Sequence, residues 1–339
     1  MSIKRKTTLK DIANILKIST AAVSKALQDD SRISIKTKEA VRKVAKELNY
    51  QPNHLASALR KGKSNLVGVI VPRTNSNFFS SVIQNLEEVL NKSGYNIIIT
   101  QSNESYTKEC EAIDTLLFTQ VDGIIASMAN ETIDLDHYEK IKSKGIPLIL
   151  FDRGENDLNV DYIGIDDYAS SQMIVEHLVS QGCQRIAHIG GYKRTRIFNN
   201  RIRGYVDAIS KYGLPSDTEL LLESSLTLED GRSKMEQLLR LKNRPDAVYV
   251  AGDYAALGAL QVLKENEVEV PTEIALVGFG NEPFTAVVTP TISSVEQHSE
   301  AIGKLAAQTF LEHAKSAEIH QALSKKILDA KLIIRDSSI

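Results

Sequence analysis

The strongest constraint on the fold is a series of short, almost purely apolar segments that starts at Leu66 and alternates with amphipathic helical segments. The first helical segment, from about residue 79 to residue 93, carries Val82, Leu86 and Val89 on one face. Runs of Val, Ile and Leu separated by helices are typical of parallel strands that are covered on both faces. The predicted strands are 66–71, 96–100, 123–126, 147–151, 162–165, 185–189, 220–222, 247–251 and 274–279.

These strands fall into two series, and the second series starts near residue 185. Two series predict an α/β fold with two doubly wound parallel-sheet lobes. Ligands bind to such sheets in the crevice outside the carboxyl ends of the strands. We therefore expect a binding cleft between the two lobes.

A basic segment precedes this body. The formal net charge of the chain is only −2, but residues 1–62 hold 14 Lys and Arg against 5 Asp and Glu, whereas the remainder holds 27 against 38. Such asymmetry is typical of a basic nucleic-acid-binding domain attached to an acidic body. The basic N-terminus lacks the apolar run of a signal peptide, and no segment is long and apolar enough to span a membrane. These features predict a cytoplasmic protein that does not contact membranes.

Residues 8–48 predict a small all-α domain of three helices. Thr8 and Asp11 have the spacing of a capping box, while Ser19 and Ser34 are candidate N-caps of the second and third helices. Asn49 is placed to end the third helix. Two short helices joined by a tight break form the helix-turn-helix pattern.

The second of these helices is the candidate DNA-recognition helix. Its N-terminal residues would lie in a major groove, where Thr20 and the Ala21 methyl can contact bases and Lys25 can reach a guanine or a phosphate. A small helical domain with a solvated basic face is the alternative, and the spacing alone does not decide between them. The predicted DNA-binding residues of this domain are Thr8, Ser19, Thr20, Ala21, Ser24 and Lys25.

The segment NYQPNHLASALRKGK at 49–63 contains a turn, one or two helical turns and a basic linker. Together with TLKDIA at 8–13, ISTAAVSKAL at 18–27 and LVGVIVP at 66–72, it resembles the lactose/galactose-repressor family of bacterial transcription regulators. The resemblance implies a hinge helix in which Asn53, Ala56 and Leu59 contact DNA, with Leu59 as a minor-groove wedge. Lys25 replaces the usual arginine of the recognition helix, so this position carries a compact ammonium charge instead of a planar guanidinium group.

The resemblance also implies a domain organisation and a function. We expect a helix-turn-helix domain at 1–50, a hinge helix and linker at 51–63, and an effector-binding and dimerisation domain at 64–339 with the architecture of type I periplasmic sugar-binding proteins. Its N-lobe is expected at about 64–163 and 296–325, and its C-lobe at about 164–293 and 327–339. The implied protein is a homodimeric repressor of double-stranded operator DNA, controlled allosterically by a small molecule, a sugar or sugar derivative. Control by a protein partner is the alternative.

The family pattern places the candidate ligand-binding residues on loops after strands. The three principal candidates are Asp152, Arg201 and Asp253. Carboxylates and a guanidinium that converge in a cleft suit a polyhydroxylated ligand, because each can make two parallel hydrogen bonds. Salt bridging between the lobes and helix capping are the alternative roles. The further candidates are Asn75, Phe78, Asp166, Leu226 and Gln297.

Two departures from the family pattern bear on the ligand. Leu226 stands where several relatives carry a stacking Phe or Trp, which makes a purine less expected. Arg73 near the cleft mouth either favours an anionic or phosphorylated sugar or is only surface charge.

Motifs of enzymes are absent from the sequence. It contains no P-loop, no GxSxG and no HExxH, and the loop GFGNEP at 278–283 has proline in the place of the third dinucleotide-binding glycine. The pair Asp166 and Asp167 is explained more simply by a helix N-cap than by acid–base catalysis. Cys110 and Cys183 have no CxxC spacing, which argues against zinc or a disulfide. We therefore expect a protein that is not an enzyme and that uses no cofactor and no metal.

Overall fold

The computed structural model of the chain describes residues 7–50, 63–315 and 323–339. The chain divides into two compact units, Met1–Ser64 and Asn65–Ile339, called here the head and the body. The predicted hinge contacts Asn53, Ala56 and Leu59 lie outside the described residues.

The head contains the three predicted helices, α1 (Leu9–Leu16), α2 (Thr20–Leu27) and α3 (Ile35–Glu47). The N–H of Thr8 donates to Oδ2 of Asp11 at 2.7 Å, and the Oγ of Ser19 accepts from the N–H of Ala22 at 3.1 Å. Asn49 adopts the left-handed conformation, with φ of 47°, just after α3. The predicted starts of α1 and α2 and the predicted end of α3 are therefore confirmed.

One apolar cluster holds these helices together. Ala13 and Val23 are buried in it, and Ile18 packs against it from the turn between α1 and α2, as the helix-turn-helix pattern predicts. Each fully buried aliphatic side chain contributes about 1.5–3 kcal/mol. The buried members of the cluster are Ile12, Ala13, Val23, Ala26, Val41, Val44 and Ala45.

The body alternates strands and helices along the chain. Its strands are β1 (Leu66–Val71), β2 (Asn96–Gln101), β3 (Gly123–Ala126), β4 (Leu148–Phe151), β5 (Asp161–Ile165), β6 (Ile186–Gly190), β7 (Leu221–Glu223), β8 (Ala247–Val250), β9 (Ala275–Phe279), β10 (Ser293–Glu296), β11 (Lys325–Leu328) and β12 (Lys331–Ile333). Its helices are α4 (Asn77–Lys92), α5 (Tyr106–Phe118), α6 (Asp136–Ser143), α7 (Asp167–Ser180), α8 (Arg196–Lys211), α9 (Leu228–Leu239), α10 (Asp253–Glu265) and α11 (Ser299–Lys315). No helix in the described part of the chain is both long and apolar enough to cross a membrane.

The strands form two six-stranded sheets, one in each lobe. The N-lobe sheet has the order β11-β5-β4-β3-β1-β2, and all of its pairs are parallel. The C-lobe sheet has the order β12-β10-β9-β8-β6-β7, in which only β12 runs antiparallel to its neighbour. Helices α4 and α11 cover one face of the N-lobe sheet, and α5 and α6 cover the other. In the C-lobe, α9 and α10 lie opposite α7 and α8, so the predicted doubly wound lobes are confirmed.

The sheets also correct details of the predicted organisation. The expected lobe boundary near residue 163 falls inside β5, because Gly164 and Ile165 still pair with Ile327 and Leu328 of β11. The boundary near residue 293 falls inside β10, which pairs with β9 up to Val295. The chain therefore passes between the lobes after β5, after β10 and after β11.

Helices α4 and α11 of the N-lobe approach each other closely. Gly303 on α11 lies against the backbone of α4, where an added Cβ would overlap the carbonyl oxygen of Val82 and lie 3.2 Å from the Cβ of Asn85. A glycine permits this approach because it has no Cβ. The contact fixes the position of α4, whose first turn faces the cleft described next.

Candidate functional site

The exposed face of α2 presents the predicted DNA-contacting residues. Thr20, Ala21 and Lys25 are exposed, whereas Val23 and Ala26 point into the core of the head. A helix of this kind lies in a major groove with its exposed N-terminal residues on base edges. The arrangement leaves the predicted recognition face of α2 open to a partner.

A cavity of about 130 Å³ opens between the two lobes of the body. This volume is well above the roughly 15 Å³ that a single water molecule needs. It lies at the carboxyl ends of strands from both sheets, as expected for open α/β folds. Six of the predicted ligand-binding residues line it: Phe78, Asp152, Arg201, Leu226, Asp253 and Gln297.

Arg201 on α8 is held from two sides. Its Nε donates to Oδ1 of Asp167 at 2.8 Å, and its Nη1 donates to the carbonyl oxygen of Ala251 at 3.0 Å. Its guanidinium lies 3.5 Å from the centroid of the Phe279 ring. These described partners use two of the five N–H donors of a guanidinium, so the others can serve a ligand.

Asp167 and Asp166 have different roles despite being neighbours. Burial raises the pKa of Asp167 to about 6 even though Arg201 opposes the shift. Asp166 is exposed and its Oδ1 accepts from the N–H of Ala169 at 2.9 Å, so it caps α7. The cap is therefore the role that the structure gives to Asp166, and it does not line the cavity.

Asp253 is the first residue of α10 and organises the loop after β9. Its Oδ1 accepts from the Oγ of Ser294 at 2.7 Å, and its Oδ2 accepts from the N–H of Glu282 at 2.8 Å. Burial is the main cause that raises the pKa of Asp253 to about 6, and the charge of Glu282 adds to it. Gly278 faces this carboxylate so closely that a Cβ would overlap Oδ1.

On the N-lobe side, Asp152 and Arg153 follow β4. Asp152 has a positive φ of 57°, and burial raises its pKa despite the nearby arginines. The Nη1 of Arg153 donates to Oε2 of Glu104 at 2.6 Å, and the Nε of Arg73 donates to Oε1 of the same carboxylate at 3.1 Å. Burial opposes the shift, but the two arginines lower the pKa of Glu104 overall. The guanidinium of Arg153 lies 5.6 Å from the centroid of the Phe198 ring, so charge and an aromatic face meet in the cavity.

Contacts across the cleft join the two lobes. Asn130 of the N-lobe accepts through its carbonyl oxygen from Nε of Arg194 at 2.9 Å and through its Oδ1 from Oγ1 of Thr195 at 3.1 Å. From the C-lobe, Oε1 of Glu282 accepts from the Oγ of Ser76 at 3.2 Å. The lobes are therefore in direct contact at more than one place around the cavity.

Asn75, like Asp166, is a predicted ligand residue that does not line the cavity. It is exposed and lines a separate open groove with Arg73, Thr74 and Gln101, because the loop after β1 points Ser76 rather than Asn75 to the cavity. The cavity also contains residues that were not predicted as ligand contacts. These are Arg73, Ser76, Phe79, Asn130, Arg153, Ile197, Phe198, Ser225, Ala251, Gly252, Tyr254, Phe279, Gly280 and Glu282. Glu282 could have been predicted as a cavity residue from the sequence, because its loop directly follows the buried strand β9.

A helix-turn-helix head and a two-lobed body with a polar cleft define a class of ligand-responsive, DNA-binding regulators. The sequence profile described as "Bacterial regulatory proteins, lacI family" matches residues 8–53, and that of a "Periplasmic binding protein-like domain" matches residues 175–338.

Individual proteins resemble the chain over nearly its whole length. It is 30% identical over 335 residues to the probable HTH-type transcriptional repressor ExuR of Bacillus subtilis (strain 168), covering 97% of this chain and 98% of that protein. It is 29% identical over 331 residues to the HTH-type transcriptional repressor CytR of Escherichia coli (strain K12), covering 98% and 96%. The Lac repressor dimer bound to operator and the anti-inducer ONPF matches with a TM-score of 0.85 at 21% identity, covering 99% of this chain and 100% of that chain.

The chain belongs to the lacI family of bacterial regulatory proteins, which confirms the predicted resemblance. It is a DNA-binding transcriptional regulator. Its relatives are regulators rather than enzymes.

Proposed function

We propose that this protein is a dimeric repressor that binds operator DNA through α2 and that is controlled by a small polyhydroxylated ligand in the cleft of the body. The observation that carries the proposal is the cavity between the lobes, in which Arg201, Asp253 and Asp152 are buried and line one space. The named relatives ExuR and CytR are repressors, which supports the same direction of control.

The chemistry of the cavity suits a sugar or a sugar derivative. Carboxylates accept hydrogen bonds from hydroxyl groups, and a guanidinium donates two parallel ones. Phe198 and Leu226 add apolar surface against which a sugar ring can pack. In this proposal Arg201, Asp253 and Asp152 are the principal ligand residues, with Phe78, Leu226 and Gln297 beside them.

For the head, we propose that Thr20, Ala21 and Lys25 contact bases, while Thr8, Ser19 and Ser24 support contacts to the backbone. The family resemblance adds Asn53, Ala56 and Leu59 in the hinge. Lys25 is a point charge, so it selects among bases less sharply than the bidentate fork of an arginine would.

Control of DNA affinity follows from linkage between the two sites. A ligand changes operator affinity only if it binds one arrangement of the two lobes better than another. The contacts of Asn130 and Ser76 across the cleft are candidates for bonds that differ between those arrangements. The effect of a ligand on DNA affinity is the same in size as the effect of DNA on ligand affinity.

The first experiment is a thermal-shift screen with free sugars, phosphorylated sugars, sugar acids and nucleosides. A ligand at 100 times its Kd stabilises the folded protein by about 2.7 kcal/mol, which is readily measured. Each compound that shifts the midpoint is then added to a fluorescence-anisotropy titration of operator DNA. If the compounds that stabilise the body leave operator affinity unchanged, allosteric control by the cleft is refuted.

Asp152→Asn tests the site itself. Asparagine tolerates positive φ, so the loop is retained while the charge is lost. A hydrogen bond to a charged group contributes about 1.5–3 kcal/mol, which corresponds to at least a tenfold loss of ligand affinity. The matched control is Asp136→Asn, an exposed aspartate of the same lobe on α6. Equal ligand affinity in the two variants would remove Asp152 from the site.

A further inference from the structure

The loop after β9 places one carboxylate across the cleft against the start of a helix. Glu282 is 7% exposed, and its Oε1 accepts from the Oγ of Ser76 at 3.2 Å. The backbone N–H groups of Asn77 and Phe78, in the first turn of α4, also donate to it. Its own N–H donates to Oδ2 of Asp253, which holds the loop in this position.

The first turn of α4 is a position that favours anions. The first N–H groups of an α-helix have no partner within the helix, and the aligned peptide dipoles place partial positive charge there. Such helix starts bind phosphate and carboxylate groups of ligands. In α4, a 16-residue helix, the carboxylate of Glu282 takes that place.

A second feature on the same side of the cavity also matches an anion. Arg73 and Arg153 both line the cavity with Glu282. Arg153 is 9% exposed, and its Nε has no hydrogen-bond partner among the described residues, with Oδ2 of Asp152 at 3.8 Å. An acidic group that entered here without Glu282 in place would meet both a helix start and a guanidinium.

Carboxylates nevertheless outnumber guanidiniums in and directly beside the cavity. The guanidiniums are those of Arg73, Arg153 and Arg201, which line the cavity, and of Arg194, which donates to the lining residue Asn130. The carboxylates are those of Glu104, Asp152, Asp167, Asp253 and Glu282. The excess of negative charge opposes the entry of a further anion, and Glu282 is the member of this set that occupies the helix start.

Building on the proposed function, we infer that Glu282 determines the specificity of the cleft by excluding effectors with a phosphate or carboxylate group and admitting uncharged ones. An anionic effector would have to displace Glu282 from α4 and leave a buried carboxylate without partners, whereas an uncharged sugar leaves the contact intact. Arg73 in the cleft mouth therefore forms an ion pair with Glu104 and does not mark a site for a phosphorylated sugar.

The test uses inorganic phosphate as the probe and the full-length protein with Glu282→Ala. Removing the side chain frees the start of α4, so phosphate is expected to bind there. We expect calorimetry to give a phosphate Kd at least tenfold lower for the variant than for the wild type. Phosphate is also expected to raise the thermal midpoint of the variant by about 2 °C or more above chloride at equal ionic strength.

The matched control is Asp166→Ala, which removes a carboxylate that caps the start of α7 and does not line the cavity. An equal response to phosphate in this control would mean that any uncapped helix binds the probe, and it would overturn the inference. No gain of phosphate binding by Glu282→Ala would overturn it as well. If that variant does not fold, Glu282→Ser also removes the carboxylate and leaves a side chain too short to occupy the start of α4, and the same tenfold gain is expected.

The titration needs neither operator DNA nor the natural effector. A negative result therefore overturns the role of Glu282 and leaves the regulatory function standing. Conversely, a protein that gains phosphate binding on Glu282→Ala but shows no effector-dependent change in operator affinity would refute the proposed function alone.

Discussion

Arg201 and Asp167 form a buried ion pair whose disruption should be the most costly single change at the cleft. The two side chains are 4% and 5% exposed, and Nε of Arg201 lies 2.8 Å from Oδ1 of Asp167. The substitution considered is Arg201→Met, which keeps an unbranched side chain of similar length and removes the charge. It leaves the carboxylate of Asp167 buried without a counter-charge.

The expected loss in the free energy of unfolding is about 3–5 kcal/mol, because removing one partner strands the other charge in the interior. The contact between the guanidinium and the Phe279 ring, at 3.5 Å, adds up to about 2 kcal/mol if it is desolvated. A loss of this size is a large share of the roughly 5–15 kcal/mol that stabilises a domain.

The double variant Arg201→Met with Asp167→Leu separates the stranded charge from the loss of packing. Replacing both members of a buried pair with apolar residues is often neutral, so the double variant should recover at least about 2 kcal/mol relative to Arg201→Met alone. Urea unfolding of the full-length protein, followed by circular dichroism, measures both values.

Arg240→Met is the matched control, because Arg240 pairs with Glu236 and the two side chains are 78% and 46% exposed. Exposed pairs of this kind contribute about 0–1 kcal/mol. The reasoning is refuted if Arg201→Met costs no more than this control, or if the double variant is as unstable as Arg201→Met.

Three further predictions concern other parts of the molecule. Burial raises the pKa of Asp253 from the ordinary 3.8 of an aspartate to about 6, so its protonation favours the folded state. The thermal midpoint of the wild type relative to that of Asp253→Asn should therefore rise as pH falls from 7 towards 5; a difference of opposite slope contradicts the assignment. Gly303→Ala should lower the free energy of unfolding in urea by about 1–3 kcal/mol, because the added Cβ overlaps the carbonyl oxygen of Val82. This loss exceeds the gain from the better helix propensity of alanine. A stabilised variant would show that α4 and α11 separate freely. Ser19→Ala should lower the stability of the head by about 1 kcal/mol, because the hydrogen bond from the N–H of Ala22 is lost. Hydrogen exchange of the amides in α2 should become faster. Unchanged exchange would show that the cap contributes nothing.

The sequence allowed most of the sheet to be predicted because nearly all strands of the two central series are continuous apolar runs. β10, β11 and β12 were not in that series, and each has only three or four residues. β11 contains two lysines and lies at the edge of its sheet, so its register depends on pairing with β5 and not on an apolar pattern of its own. Such strands are defined by partners that are distant in sequence.

The prediction of the site from the sequence was limited in the same way, because some contacts depend on residues that are distant along the chain. Arg201 and Asp253 could be predicted as cavity residues because the family resemblance marks both positions. Asp166 and Asp167 could not be distinguished, because a shift of one residue at the start of α7 separates an exposed cap from a buried ion pair. The bond between Ser76 and Glu282 joins residues 206 positions apart, which no local pattern reveals.

The late pairing of β11 with β5 has a consequence for how the protein is made. The three described helices of the head end at residue 47, whereas the N-lobe sheet lacks its last strand until residue 328 has been synthesised. At 5–20 residues per second, a ribosome needs about 15–60 s to cover that interval. A nascent chain, or one shortened by a premature stop codon, therefore carries finished helix-turn-helix helices without a finished N-lobe. Nonsense alleles late in such a gene are expected to yield regulators that no effector can control, or fragments that are degraded before they fold.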